Sequence, residues 1–280
     1  MKKYTKIILA ILAVCLLVSL TACKPKDGAA SGTDVPAAPP SSDTDIPVAT
    51  PPASGSDLSD IAFLRMGTNA FFEPYEFYKD NEIVGIDAEI AAEIAKELGM
   101  VLIIEDMEFD SILIAINNGS IDMGMAGMTI TEDRLLEVDF STSYATGIQS
   151  IIVKEGSSIT GPDDLEGKKI GVQLGTTGDL YSTWDYGDEN VERFPKGSEA
   201  VMALINGTVD CVVIDNEPAK SFVSANQGLT ILETEYAVED YAIAVSKSNP
   251  NLLIKINAAL EKLIADGTVQ AIIDKYITVQ

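Results

Sequence analysis

The sequence predicts an α/β fold, and three observations carry that expectation. After residue 60 short apolar runs alternate with helical stripes, the stripes stop at glycines, and one short unit made of a helix end, a glycine and a buried strand occurs twice. The stripes come first. Ile90, Ile94 and Leu98 recur every four residues, with Ala91 and Ala95 beside them, and end at Gly99. Ile112, Leu113 and Ile116 end at Gly119, and Val201, Leu204 and Ile205 end at Gly207. Leu253, Ile256, Leu260, Leu263 and Ile264 form one long face closed by Gly267, followed by a last helix from Val269 to Tyr276. Such faces pack into a core and are not sites.

The strand candidates are Phe63 to Met66, Val101 to Ile104, Ile121 to Ala126, Ser150 to Val153, Lys169 to Val172, Asp210 to Ile214 and Tyr241 to Val245. Most are apolar nearly throughout, which predicts largely parallel sheets covered by helices on both faces. The repeated unit reads Asn118-Gly119-Ser120-Ile121-Asp122 and Asn206-Gly207-Thr208-Val209-Asp210. In open α/β sheets ligands sit beyond the carboxyl ends of strands, so both copies are expected to aim a strand end at a shared cleft. Chance similarity over five residues is the alternative.

The amino-terminal region is of a different kind. Lys2, Lys3 and Lys6 precede an apolar run from Ile7 to Leu20, which predicts a signal peptide over residues 1–22. Leu20-Thr21-Ala22-Cys23 resembles the bacterial lipobox, and that resemblance implies cleavage before Cys23 and lipidation of its sulfur. An ordinary cleaved signal with an incidental Cys23 is the competing reading. Residues 23–57 then form a tether rich in Pro, Ala and Ser, too poor in large apolar side chains to offset the entropy of ordering.

Charge and composition exclude whole classes of function. The chain carries 19 basic and 43 acidic residues, a formal charge of −24, and loss of the three lysines within residues 1–22 takes it to −27. Such a surface repels phosphates, so no nucleic-acid partner is expected. There is no histidine, which removes a Ser-His-Asp triad and a Cys-His pair, and neither a metal cage nor a cofactor is expected. Of three cysteines only Cys211 lies in the body of the chain, among Val209, Val212 and Val213, where it reads as a small core hydrophobe.

Four segments carry a specific likeness. They are Met66-Gly67-Thr68-Asn69 running on to Phe72-Glu73-Pro74-Tyr75-Glu76-Phe77; Ile83-Val84-Gly85-Ile86-Asp87; Ala126-Gly127-Met128-Thr129-Ile130-Thr131-Glu132-Asp133-Arg134; and Lys169-Ile170-Gly171-Val172-Gln173-Leu174-Gly175-Thr176-Thr177-Gly178. Over residues 60–280 the chain resembles the extracellular solute-binding proteins of family 3, the amino-acid receptors of ABC transporters. The resemblance implies a two-lobed, periplasmic-binding-protein-like fold, each lobe a sheet flanked by helices, joined by two hinge strands. Residues 58–144 plus 241–280 would form lobe 1, residues 145–240 lobe 2, with crossings near Tyr144 to Gln149 and Ala237 to Tyr241.

It also implies a ligand and residues to hold it. A zwitterion leaving water needs both charges paired. Arg134 suits the carboxylate because its planar fork donates two parallel hydrogen bonds, and Thr176, Thr177 and Thr129 would join it, with the helix opened at Thr176-Thr177-Gly178 adding free backbone N–H groups. Asp215 would take the ammonium with the Gly127 carbonyl and the Thr129 hydroxyl. Phe72 and Phe109 would cover the ligand's side chain, together with Asn69, Glu73 and Gln173. Asn69 stands where many relatives carry aspartate, which tilts the expectation toward a neutral polar amino acid, although Glu73 or Gln173 could compensate.

The plainer readings stand beside these. Arg134 could pair on its own helix with Glu132, Asp133 or Glu137, and Thr129 or Thr131 could be a cap while the other binds. Asp215 could be a turn residue before Asn216 and Pro218, Thr176 and Thr177 could form a turn without ligand, and either Phe could be core. The partners expected are a free amino acid, the membrane subunits of an ABC permease and, through the lipid anchor, the membrane, with the protein a monomer on the outer face of the cell membrane. A sensor or receptor domain on the same scaffold is the first rival. A cyclohexadienyl dehydratase-like enzyme, needing an acid such as Glu73 in the cleft, is the second.

Overall fold

A computed structural model describes residues 62–277. The expected signal peptide, Cys23 and the tether lie outside the described residues. Within them the chain builds two mixed sheets, each covered by helices, and a small three-stranded sheet at one rim.

The first half opens with β1 (Phe63–Thr68), then β2 (Phe71–Phe72), β3 (Glu76–Lys79) and β4 (Glu82–Val84), the last three forming the small antiparallel sheet. The Ile90 stripe lies on α1 (Ile86–Glu97), entered through Gly85 at φ 129°, where a Cβ would strike the Tyr75 carbonyl. Next come β5 (Val101–Asp106), α2 (Ile112–Asn118), β6 (Met123–Gly124), α3 (Glu132–Glu137) and β7 (Val138–Phe140). The second half runs through β8 (Ala145–Lys154), β9 (Ile170–Gln173), α4 (Thr177–Tyr186), β10 (Val191–Phe194), α5 (Gly197–Asn206), β11 (Cys211–Asp215), α6 (Asn216–Ala225), β12 (Leu229–Ile231) and β13 (Ala237–Tyr241). The chain then returns with β14 (Ala244–Ser246), α7 (Pro250–Ala265) and α8 (Thr268–Tyr276).

One sheet has the order β5-β1-β6-β14-β7 and the other β10-β9-β11-β8-β12, with β13 paired to β8. Neither is all parallel. β1 pairs in parallel with β5 and β6, and β9 with β10 and β11, but β14 and β8 run antiparallel to every partner. The antiparallel members are the strands that carry the chain across and back, so connections between the halves set their direction. Two strand expectations change accordingly. The Ile121 to Ala126 run pairs only at Met123–Gly124, and the Tyr241 to Val245 run is two strands in two sheets, breaking at Ala242 and Ile243.

The repeated unit is structural. Gly119 and Gly207 both close their helices in the left-handed region, at φ 78° and 77°. The following aspartates then do the same job: Asp122 accepts the Arg65 N–H and Asp210 the Lys169 N–H, each at 2.8 Å. Each aspartate thus fastens its helix-to-strand unit to the neighbouring strand of its own sheet. Burial follows the stripes. Ile90, Ile94, Ile256 and Leu260 close over Leu64 and Met66, while Val201 and Leu204 pack on Ile152 and Val212. Cys211 is fully buried and its thiol is pushed up to about 12 by desolvation, which fits a core role.

Candidate functional site

A narrow cavity lies where the strand ends of the two sheets face each other. From the first half it is lined by Asn69, Phe72, Glu76, Phe109, Ala126, Gly127, Thr129 and Arg134. From the second come Gln149, Gln173, Thr176 and Thr177, and from the returning strand Tyr241. Nine of the sequence-selected residues therefore meet in one place. Asp215 and Glu73 do not line it.

Arg134 is aimed inward by its own helix start. Thr131 caps α3, its hydroxyl accepting the Arg134 N–H at 3.2 Å, while Thr129 faces the cavity; one threonine caps and the other lines. The guanidinium is buried, donates from Nη1 to the Thr129 carbonyl at 2.7 Å and from Nη2 to the Gly175 carbonyl at 3.0 Å, and stacks over Phe109 at 5.3 Å. It makes no ion pair among the described residues, so the helical pairing with Glu132, Asp133 or Glu137 does not form. Burial lowers its pKa to about 10, with the Glu239 charge the largest opposing influence. It is still cationic at neutral pH and lacks an anion in contact.

Thr176 caps α4. Its hydroxyl accepts the Asp179 N–H at 3.4 Å and donates to the Gln173 carbonyl at 2.8 Å. The first N–H groups of that helix, at Thr177 and Gly178, have no intrahelical acceptor, as at any helix start. Gly178 allows α4 to lie directly on β11, since a Cβ there would sit 2.9 Å from the Val213 carbonyl.

Sequence reading missed the acid on the hinge-side strand. Glu239 is buried, and its Oε2 accepts from Thr129 Oγ1 at 3.1 Å, Gln149 Nε2 at 3.0 Å and Thr177 Oγ1 at 3.0 Å. Its Oε1 has no hydrogen-bond partner. Asp215 stands behind Tyr241, accepting a very short hydrogen bond from that phenol and the Glu217 N–H at 3.1 Å as the cap of α6. Burial raises its pKa to about 7 despite these donors.

The opposite wall holds a second missed acid. Glu76 is 1% exposed; no N–H or hydroxyl reaches either carboxyl oxygen, and its side chain shares a hydrogen bond with the Asp87 carboxyl. Burial, then the neighbouring Asp87, hold its carboxyl well above the usual range. Glu73, three residues earlier and on the far side of Pro74, is exposed and does not line the cavity. Asp87, at the start of α1, accepts the Tyr144 hydroxyl at 2.8 Å and the Gly127 N–H at 2.9 Å; burial lifts it to about 6. Those bonds fix the Gly127 turn at φ 53°, where a Cβ would fall 3.0 Å from the Phe72 ring and 3.3 Å from Tyr241. Asn69 and Gln173 satisfy each other across the cleft: Gln173 Nε2 donates to Asn69 Oδ1 at 3.0 Å, and Asn69 Nδ2 donates to the Met107 carbonyl at 2.8 Å. At the rim Lys196 sits 3.6 Å over the Phe71 ring, a further contact between the halves.

Comparison with known proteins agrees with this arrangement. The arginine-binding extracellular protein ArtP of Bacillus subtilis (strain 168) is 32% identical over 221 residues, 77% of this chain and 86% of its own. A solved structure described as an ancestral arginine-binding protein bound to glutamine is 43% identical with a TM-score of 0.74, covering 78% of this chain and 99% of that one. The arginine-, lysine-, histidine-binding protein ArtJ from the thermophilic bacterium Geobacillus stearothermophilus is 32% identical with a TM-score of 0.74, covering 78% and 96%. The profile of the bacterial extracellular solute-binding proteins, family 3, matches residues 64–279. With two helix-flanked sheets facing one enclosed, charge-lined cavity, the chain has the two-lobed periplasmic-binding-protein-like fold and belongs to the bacterial extracellular solute-binding proteins, family 3.

Proposed function

We propose that this protein binds a free L-α-amino acid between its lobes and delivers it to the membrane subunits of an ABC importer, and that its preferred ligand carries a cationic side chain. The observation that carries the second part is Glu76: a buried carboxyl that no hydrogen-bond donor of the protein reaches and that lies against the Asp87 carboxyl, in a cavity whose other charged wall is Arg134. Two buried acids in contact are costly, and a guanidinium would bring Glu76 both the donors and the positive charge that the pair lacks. Similarity to arginine-binding proteins supports the same reading.

The ligand carboxylate is assigned to Arg134, aided by the N–H groups at the start of α4 around Thr176 and Thr177. The ammonium is assigned to the Thr129 and Gly127 side, with the Asp215 charge acting from behind Tyr241. Phe72 and Phe109 flank the side chain. A neutral polar side chain such as that of glutamine is the second reading, favoured by the Asn69–Gln173 pair in the wall and by the elevated pKa of Glu76, which lets a protonated carboxyl meet an amide.

The lobes are proposed as residues 58–144 plus 241–280 and residues 145–240, hinged where β8 and β13 cross between them. Binding then selects a closed shape that the permease reads. Export by residues 1–22, lipidation at Cys23, anchoring to the outer face of the membrane and action as a monomer without catalysis complete the reading. Calorimetric titration of the purified protein with the twenty common amino acids is the test. Micromolar or tighter binding of arginine, ahead of glutamine and with acidic residues excluded, is expected; a preference for aspartate or glutamate, or no binding at all, would sink it.

A further inference from the structure

We infer that Glu239 is the positioning residue through which the site recognises the α-ammonium group: it holds the hydroxyls of Thr129 and Thr177 and the amide of Gln149 so that these three side chains turn acceptors to the ligand. This inference rests on the amino-acid reading above and names a residue that reading did not assign.

The geometry is specific. A threonine hydroxyl has one hydrogen and two lone pairs. At Thr129 and Thr177 that hydrogen is committed to Glu239 Oε2, at 3.1 and 3.0 Å. What remains for the cavity, which both side chains line, is oxygen lone pairs. Gln149 obeys the same logic: its NH₂ end donates to Glu239 at 3.0 Å, and its Oε1 is buried without a donor. Three donors from both lobes thus spend their hydrogens on one carboxylate, whose other oxygen has no partner.

An ammonium brings three N–H donors and a positive charge, which is what such a wall lacks. A ligand carboxylate could not settle against these hydroxyls, where it would meet lone pairs and the Glu239 charge, and is left to Arg134 and the backbone N–H groups that open α4. The same carboxylate is the largest charge opposing the desolvation of Arg134. Glu239 therefore fixes the ligand's polarity: the carboxylate to Arg134 and the N–H groups that open α4, the ammonium to the hydroxyl oxygens of Thr129 and Thr177. Asp215 is differently placed, since Tyr241 and the Glu217 N–H already occupy its carboxylate.

The test compares each α-amino acid with its des-amino counterpart in the purified protein: L-arginine with 5-guanidinopentanoate, and L-glutamine with 4-carbamoylbutanoate. For Glu239→Gln the amino acid should lose about tenfold or more in affinity while the des-amino acid changes by less than about threefold, so the discrimination collapses. A purely structural role would weaken both ligands alike, and that result, or unchanged discrimination, overturns the inference. Thr177→Val provides the same readout should Glu239→Gln fold poorly, because it removes one wall hydroxyl and one of the three donors to Glu239 while leaving the carboxylate itself in place. Failure of the wild-type protein to bind any amino acid overturns the amino-acid reading itself; wild-type binding with intact discrimination in both variants, lost instead in Asp215→Asn, overturns only the assignment to Glu239.

Discussion

The two ends of the cavity differ in how far their polar groups are already paired. Around Arg134 and Glu239 five hydrogen bonds are already made inside the protein: the guanidinium donates to two carbonyls and the carboxylate accepts from three side chains. Around Glu76 no donor group reaches the carboxyl, which leans instead on another acid, Asp87. A network bonded in advance is rigid and costs little further ordering when a ligand arrives, which suits the part of an amino acid that never varies. A bare acid is set by what meets it, which suits the part that does.

The largest effect that could break this contrast is at the paired end. Arg134→Ala should cost any α-amino acid about 3–5 kcal/mol, a loss of hundreds-fold or more in calorimetric affinity, whatever the side chain. Equal loss for every ligand sharpens the contrast; a loss confined to arginine breaks it. At the bare end, Glu76→Gln should lower arginine affinity by about 2 kcal/mol while moving glutamine far less. The wild-type pH profile should separate the ligands too. Glu76 holds its proton well above the usual range, and a cation binds its ionised form, so binding expels the proton and arginine affinity climbs with pH. Glutamine affinity should be nearly flat over the same range.

The smallest effect concerns the unliganded protein. Asp87 and Asp215 are raised from 3.8 to about 6 and about 7, so the folded chain holds these protons more tightly than the unfolded chain does. Their stabilisation is complete below about pH 4 and is lost as pH rises through the folded values, levelling off above about 7. The melting temperature should accordingly fall by several degrees between pH 5 and pH 8 without ligand, and saturating arginine should restore part of it. A melting temperature that rises across that window would remove the buried-acid account.

The parts of this design that were legible in the sequence are those written by periodicity and caps. The stripe from Leu253 to Ile264, the glycine stops at Gly119 and Gly207, and the capped turn at Thr176 all announce themselves, because backbone geometry demands particular residues there. Arg134 was legible only through its motif, since its burial depends on Gly175 and Phe109, far away in the chain. The two missed acids share a physical reason. Along Ala237–Tyr241 an apolar-inward rule would bury Val238 and expose Glu239, yet Val238 is 63% exposed and Glu239 5%. The strand is set inside out because Tyr241, two residues on and on the same face, is the side chain the core requires. Glu76 was hidden by its neighbour. Only the hairpin that buries Tyr75 decides that Glu76 turns inward and Glu73 outward. Local rules fail where a ligand is meant to complete the structure.

The pairing of β8 with β13 carries a last consequence. The two stretches on which the lobes are proposed to pivot run antiparallel from Ala237 opposite Gln149 to Tyr241 opposite Ala145. A ladder of this sort twists and flexes readily but does not glide, because a slip of a single position would swing Glu239 into solvent and bring Val238 in. Opening is then a swing about one line, wide at the Phe71 and Lys196 lip and nearly still at its root. Gln149 and Glu239 sit on that root, so an incoming solute would find the innermost wall of its berth already standing before the mouth closes behind it.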